Sequence, residues 1–426
     1  MQGVIIAAGE SKRFWPLSTK HKNKAQVSLL GKSLIYWTIK GLAENGIKDI
    51  VVVHNPHSSL QEILDKENVR QLADGVQISY VVQEKQLGTG NALAQAREFI
   101  KEPFFVLWPN KVNSKEIVAK MAEKQKDRDE VVLVGAQTTN PQDYAVVRFE
   151  GEKVAELIEK PEQGKEPSDT KVIGAYLLQP DFFSCYEKIS EHHETDFIDV
   201  MNLYIKDKKT SLVTLTEDVP TLKYPWELFG VLDILFKSEY FREGTASTAQ
   251  IGKNVVMEGS VYVGENTVIK ANTVIEGPVY IGDNCKIGYS NVLRGPLNVE
   301  SETITGAFTE LKNSIIQKGN HIHSGFFGDS IIGQDGRFGA GFITGNRRLD
   351  RRSIKVIVQD EKIDTGLTYL GTVIGDSTKL GIHTGIMPGV FIGSNCVIGH
   401  VTQVFEHVQD NMRFYSRQEN ITREDA

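Results

Sequence analysis

Only three cysteines occur in the 426 residues, Cys185, Cys285 and Cys396, and they lie far apart. No CxxC pair or Cys/His metal spacing exists, so neither a zinc module nor a disulfide framework is expected, and a reducing, cytoplasmic setting is the default. Long apolar runs are also missing. Nothing approaches the roughly 18 residues of a membrane span, and the opening MQGVIIAAGESKR lacks the plan of a signal peptide. An excess of positive charge is absent too. The net charge of -7 argues against a nucleic-acid binder. What remains is ordinary globular composition, 40% hydrophobic and 24% charged, long enough for two or three domains with sizeable cores.

The first half alternates strand and helix signals. Short apolar runs at Val4–Ala8, Ile50–His54, Ile78–Gln83, Phe104–Trp108 and Val131–Val134 read as strands. Between them, Leu34–Asn45, Ser59–Leu72, Gly90–Ile100 and Ser114–Lys126 carry apolar residues at helical spacing. The alternation predicts βαβ units with a parallel sheet buried on both faces. Tyr144–Pro161 reads as a hairpin turning at Glu150-Gly151-Glu152, and Trp226–Arg242 as a last helix.

Near Gly244 the rhythm changes to a period of six. Aliphatic marks run from Ile251 to Val299 and again from Ile374 to Ile398, often followed by glycine, as at Gly252, Gly264 and Gly282. Six is neither the helical nor the strand period. It fits a solenoid in which each short strand gives one inward side chain and then turns, with glycine supplying positive φ. The rhythm is lost between about Gln317 and Leu370, which marks an insertion or a functional site. The expected domains are 1–243, 244–408 and a polar, partly disordered tail at 409–426.

Motifs sit on this frame. The first strand opens into Gly9-Glu10-Ser11-Lys12-Arg13, a loop able to offer N–H groups and an Arg to polyphosphate. AAGESKRFWPLS, then NKAQVSLLGKSLI, resembles the paired signature AAGxGTRLxPLT and PKxLxPVxGKPLI of sugar-phosphate nucleotidyltransferases. Gln83 with LGTGNA, Glu159-Lys160-Pro161, Gly174 and Tyr176, and Tyr224-Pro225-Trp226-Glu227 follow in the family's order. The six-residue period resembles the hexapeptide-repeat left-handed parallel β-helix. HIHSGFFGDS, Gly339-Ala340-Gly341 and Asn346 resemble the acetyltransferase half of bifunctional enzymes that make UDP-N-acetylglucosamine.

That resemblance implies an α/β fold, a Rossmann-like nucleotidyltransferase domain followed by the β-helix. It implies attack of a sugar 1-phosphate on the α-phosphorus of an NTP, with release of pyrophosphate. Arg13 and Lys24 would be catalytic, and Ala8, Gly9, Ser11, Lys12, Gln83, Gly88 and Thr89 would bind nucleotide. Ala145, Glu159, Lys160 and Gly174 would hold the sugar phosphate, and Asn110 with Glu227 would hold Mg²⁺. In the β-helix, His323 would be the base for acetyl transfer from acetyl-CoA, with Asn346, Arg352 and Lys355 on the acceptor. A homotrimer through the β-helix is the implied assembly.

The chain departs from the pattern at several places. Asn110 replaces the metal-binding Asp, Ser11 a loop Gly, Val172 an Asn, Ala145 a Gly, and Phe326 a Tyr. An amide oxygen is a weaker ligand for a hard cation than a carboxylate. Three readings therefore stand: a nucleotidyltransferase enzyme, a degenerate nucleotide-sugar-binding regulatory or scaffold protein, or a chain in which only the acyltransferase half works. Glu227 opens a helix, where an acid is favoured in any case. Trp15 and Trp226 read as packing residues.

Overall fold

A computed structural model of the chain describes residues 1–151, 153–189, 193, 195–216, 219–417, 419 and 422. Two compact units emerge: one holds 1–11, 18–27 and 32–222, the other 12–17, 28–31 and 223–426.

The first unit is built on a sheet. Across it the strands run Thr210–Leu215, Val131–Gln137, Thr170–Leu178, Phe104–Leu107, Gln2–Ala7, Asp49–His54 and Gln77–Val82. Gln2–Ala7 pairs in parallel with Phe104–Leu107 on one side and Asp49–His54 on the other. The chain winds outward to Gln77–Val82, then returns past the first strand to Phe104–Leu107. Strand order reverses there, so the loops after Ala7 and Leu107 leave at a topological switch point, the usual ligand crevice of open α/β sheets. Val4, Ile5, Val52 and Val106 are fully buried. Each such side chain stabilises by roughly 1.5–3 kcal/mol.

The sheet is mixed rather than all parallel. Thr170–Leu178 runs antiparallel to both Phe104–Leu107 and Val131–Gln137. The cause is its connection: it follows the antiparallel hairpin Ala145–Glu150 and Lys153–Glu159 instead of a crossover helix, so it enters from the opposite end. Glu152, expected in that hairpin's turn, lies outside the described residues. The helix expected over Ser59–Leu72 ends at Lys66, because Asn68 adopts a left-handed φ of 57° and a 3₁₀ turn follows.

The second unit is a parallel β-helix of three faces. Face one runs from Gly244–Thr245 to Val390–Ile392, face two from Gln250–Ile251 to Arg413–Phe414, and face three from Val256–Glu258 to Gln403–Val404. Early coils repeat every 18 residues, so Val261 pairs with Val279 and Val279 with Leu297. Later coils are shorter: Val299 pairs with Ile316 and Ile316 with Ile332. Losing one or two residues shifts the six-residue phase, which is why the rhythm fades after Gln317 although the coils continue. Phe327, Phe338 and Phe342 fill the core there, with ring centroids 4.7–5.1 Å apart. The true interruption is the excursion from Gly345 to Gly371, which carries the hairpin Lys355–Val358 and Glu361–Asp364. Arg413–Phe414 pairs with Val397–Ile398, so a rung lies inside the stretch expected as tail.

The repeat glycines do a different job from the one expected. Left-handed turn positions are taken by Asn more often than by any other non-glycine residue, as at Asn254, Asn266, Asn272 and Asn284, and by other residues such as Ser290, Asp335 and Ser377. Gly252 and Gly282 instead lie against the next coil, where a Cβ would fall 2.6 Å from the Ala271 nitrogen and 2.7 Å from the Ser301 nitrogen. Asparagine tolerates the left-handed region, whereas no side chain tolerates that approach. In this unit Trp15 packs near Phe391 and His407 (ring centroids 6.4 and 6.0 Å), and Trp226 stacks on Tyr224 at 4.5 Å.

Candidate functional site

At the end of the first strand the backbone carbonyls are drawn away by side chains. Asn23 Nδ2 donates to the Ala7 carbonyl at 2.8 Å, Gln86 Nε2 to Ala8 at 2.7 Å, and Ser18 Oγ to Ser11 at 2.8 Å. Among the described residues, the N–H groups of Gly9 and Ser11 have no protein acceptor. Exposed N–H groups with their carbonyls held back form a nest for anionic oxygen. Ser11 sits at φ 57°, in the left-handed region, which is the conformational reason a glycine suits this position.

Lys24 is positioned by a reciprocal cap. Asn23 Oδ1 accepts from Ala25 N at 3.0 Å, and Gln26 Oε1 accepts from Asn23 N at 2.7 Å. Lys24 Nζ donates to the Leu222 carbonyl at 3.1 Å. Gln83 is buried, and its Nε2 donates to the Gly88 carbonyl and Asn91 Oδ1, both at 3.0 Å. Its amide thus fixes the turn that presents Gly88 and Thr89 at the start of the helix Gly88–Gln95.

Glu159 ends its hairpin strand, and Lys160 follows at φ 44° with its N–H on the Tyr144 carbonyl at 3.0 Å. Ala145 begins the paired strand. Gly174 has φ 72°, and a Cβ there would strike the Trp108 ring. Trp108 N in turn donates to the Gly174 carbonyl at 3.2 Å. Val172, on the same strand, is buried in the core.

Asn110 lies in the loop after Phe104–Leu107 and is 1% exposed. Its Nδ2 donates to the Pro220 carbonyl at 3.3 Å, while Oδ1 is buried with no hydrogen-bond partner. An orphaned buried oxygen costs about 1–3 kcal/mol and suits a cation. Glu227, in the second unit, caps its own helix: Oε2 accepts the N–H of Lys223 and of Tyr224, the latter at 3.0 Å. No group of three or more His, Cys, Asp or Glu suited to a metal exists among the described residues. Mg²⁺ commonly needs only one or two protein oxygens, the rest coming from water and phosphate. The orphaned oxygen of Asn110 fits that role.

In the β-helix, His323 is exposed at the turn joining face two to face three. At the corner where face three turns to face one, Asp329 is 2% exposed and gathers Asn346 Nδ2 and Asn313 Nδ2, each at 2.6 Å, and Lys312 Nζ at 3.4 Å. Lys312 and Arg347 both stand over the Tyr369 ring, at 4.9 and 4.7 Å. Phe326 packs over Gly328 beside Asn346, since a Cβ on Gly328 would fall 2.6 Å from Phe326 Cζ and 2.8 Å from Asn346 Nδ2. Arg352 and Lys355 lie on the excursion; Lys355 is 3.9 Å from Asp364, and Arg352 N bonds Asp350. Asn346 is a residue the sequence singles out, and Asp329 stands in the quoted GFFGDS stretch, whereas Lys312 and Tyr369 are not marked by any motif. Lys312 follows the inward Leu311, but shortened coils hide which residues share a face.

The nucleotidyl transferase family model matches residues 2–243. The chain belongs to that family. Residues 260–295 match the bacterial transferase hexapeptide model of six repeats. The chain is 34% identical over 428 residues to the bifunctional protein GlmU of Methanococcus maripaludis, covering 99% of this chain and 98% of that one. It is 32% identical over 401 residues to the bifunctional sugar-1-phosphate nucleotidylyltransferase/acetyltransferase of Sulfurisphaera tokodaii, covering 92% and 94%. A solved UDP-glucose pyrophosphorylase from Acinetobacter baumanii covers 56% of this chain and 94% of its own, at 18% identity and a TM-score of 0.49. No helix among the described residues is long and apolar enough to cross a membrane.

Proposed function

We propose that this family member is a two-activity transferase. Residues 1–243 carry nucleotidyl transfer from an NTP to a sugar 1-phosphate. The β-helix carries acetyl transfer from acetyl-CoA to an amino-sugar phosphate. The observation that carries the first activity is the nest at Gly9 and Ser11, whose N–H groups lack protein acceptors while the carbonyls of Ala7, Ala8 and Ser11 are held by side chains. The full-length likeness to two bifunctional relatives supports the pairing of activities.

In nucleotidyl transfer, a sugar-phosphate oxygen attacks the α-phosphorus and the bond to the β-phosphate oxygen breaks, releasing pyrophosphate. No covalent protein intermediate is needed, so positioning and charge stabilisation do the work. Ala8, Gly9, Ser11 and Lys12 cradle the phosphates, and Arg13 and Lys24 offset charge. Gln83 sets the Gly88–Thr89 turn against the base. Glu159 takes a sugar hydroxyl and Lys160 the sugar phosphate, with Ala145 and Gly174 shaping the walls. Asn110 and Glu227 would hold Mg²⁺, which supplies charge neutralisation when bound. In acetyl transfer, the acceptor amine attacks the thioester carbonyl, His323 takes its proton, and CoA leaves as the thiol after protonation. Asn346, Arg352 and Lys355 serve the acceptor, joined by Lys312. The assembly proposed is a homotrimer through the β-helix.

The test is pyrophosphate release with Mg²⁺, pairing the common NTPs and dTTP with glucose, glucosamine, N-acetylglucosamine and mannose 1-phosphates. CoA release from acetyl-CoA and glucosamine 1-phosphate is measured on the same protein. Turnover in both is the expected result. Nucleotide-sugar binding without turnover in either would turn the reading to a sensor.

A further inference from the structure

The loop Gly9–Arg13 divides between the two units: residues 1–11 belong to the first, whereas Lys12–Leu17 belongs with the β-helix in the second. Arg13 is exposed on the 3₁₀ turn Lys12–Phe14. A side chain so placed takes its direction from the backbone beneath it, and that backbone is held by its neighbours. Phe14 and Leu17 are buried, and Leu17 N donates to the Phe14 carbonyl at 3.1 Å. Trp15, two residues after Arg13, is half-buried, and its indole Nε1 donates to Asp410 Oδ1 at 3.2 Å.

The platform under Trp15 is itself fixed. Phe391 lies on face one between Val390 and Ile392, which belong to the core inside the β-helix. Strand alternation therefore sends Phe391 outward, yet it is 1% exposed. The rings of Trp15, Trp226 and His407 cover it, with centroids at 6.4, 6.2 and 5.2 Å. His407 is held at both nitrogens: Nδ1 accepts from Phe391 N at 2.9 Å, and Nε2 faces the Ile357 carbonyl at 3.0 Å. Asp410 is tied to its own coil, its Oδ1 also accepting from Ser394 N at 2.6 Å. A half-buried indole is free to donate to water. Here it meets an anchored carboxylate instead, and an ionised acceptor makes a bond roughly twice as strong as a neutral one.

We infer that Trp15 and Asp410 are positioning residues for nucleotidyl transfer: the last coils of the β-helix hold the indole, and the indole sets the Arg13 guanidinium for the triphosphate. The inference rests on nucleotidyl transfer with Arg13 at the phosphates. Both residues act through Arg13, and neither is a reacting group. Such positioning matters because a displacement of about 1 Å, caused far from the chemistry, costs on the order of a hundredfold in rate. It gives the β-helix a task in the first reaction that its own acetyl transfer does not require.

The experiment is a double-mutant cycle on the full chain, read as KM for the NTP and KM for the sugar 1-phosphate in pyrophosphate release. Asp410→Ala is expected to raise KM for the NTP about tenfold, the weight of one hydrogen bond to a charged group. KM for the sugar 1-phosphate should stay where it was. Asp410→Asn keeps the acceptor oxygen and should restore most of the loss. Trp15→Phe removes the indole N–H, and in that background Asp410→Ala should add nothing. A merely structural Asp410, acting through Ser394, would add its loss in both backgrounds, and that result overturns the inference. Equal shifts for both substrates, or no shift, overturn it too. Trp15→Phe alone leaves Asp410 bonded to Ser394; it should show the same rise in KM for the NTP and guards against unfolding of the last coil. If wild type releases no pyrophosphate, nucleotidyl transfer fails as a reading, and calorimetry with magnesium tripolyphosphate decides the positioning separately. A Kd weakened about tenfold in Trp15→Phe upholds it, and absent or unaltered binding overturns it.

Discussion

Asn110 holds two opposing demands on one side chain. Its nitrogen serves the Pro220 carbonyl, and its oxygen is buried without a partner. Asn110→Asp exchanges the donor for a second carboxylate oxygen. Without metal, the carboxylate faces that carbonyl, and stability is expected to fall by about 1 kcal/mol. With metal, Mg²⁺ binding measured by calorimetry beside a bound nucleotide should tighten about tenfold, and turnover at low Mg²⁺ should rise. Unaltered Mg²⁺ affinity would remove Asn110 from the metal site. At Gly174, both the positive φ and the Trp108 ring exclude a side chain. Gly174→Ala should cost roughly 2–4 kcal/mol, read as a lower urea midpoint. A neutral result would mean that the Trp108 ring moves aside.

At the scale of the coil, His407 is the group to watch. Phe391 N donates to its Nδ1 at 2.9 Å, so the proton sits on Nε2, which faces the Ile357 carbonyl at 3.0 Å. Burial lowers its pKa, partly offset by that carbonyl. Asp410 lies within reach of the same cluster, bonded to Trp15 Nε1 at 3.2 Å. The unfolded chain binds the proton more tightly than the folded one, so this contribution is present above a pH of about 6.5. It is lost as the pH falls from there through the lower folded value. Wild type should therefore lose more stability between roughly pH 7.5 and 5.5 than His407→Gln, which cannot charge. Parallel urea-midpoint curves for the two would show that the imidazole does not report on this coil. The same scale explains the lost rhythm: a coil of 16 or 17 residues keeps its inward column, at Ile316, Ile322 and Phe327, while breaking the period.

For the whole molecule, the two activities should separate by mutation. Lys24→Ala is expected to lower pyrophosphate release at least a hundredfold, or about 2.7 kcal/mol of transition-state stabilisation, and to leave CoA release unchanged. His323→Ala should do the reverse. Joint loss in either variant would mean that the two units do not act independently. Each result is read on the full chain, with circular dichroism as the check on folding.

The alternation of apolar strands and helices, the six-residue period and the paired signature are local in sequence, and they determined both architectures and the order of Ala8, Arg13, Lys24, Asn110 and His323 along them. Short-range pattern suffices there, because strand and solenoid periods are properties of neighbouring residues. Tertiary structure decided what depends on residues distant in sequence. It turned Thr170–Leu178 antiparallel and carried the β-helix past Gln409 to Phe414. It placed the repeat glycines against the next coil and left many of the left-handed turns to asparagine and other residues. It also gathered Lys312, Asp329 and Asn346 at one corner and aligned His321, Arg337 and Lys379 on face two. Coil length sets which side chains share a face. A shift of one or two residues in that length, invisible to a fixed period, rearranges every column that follows.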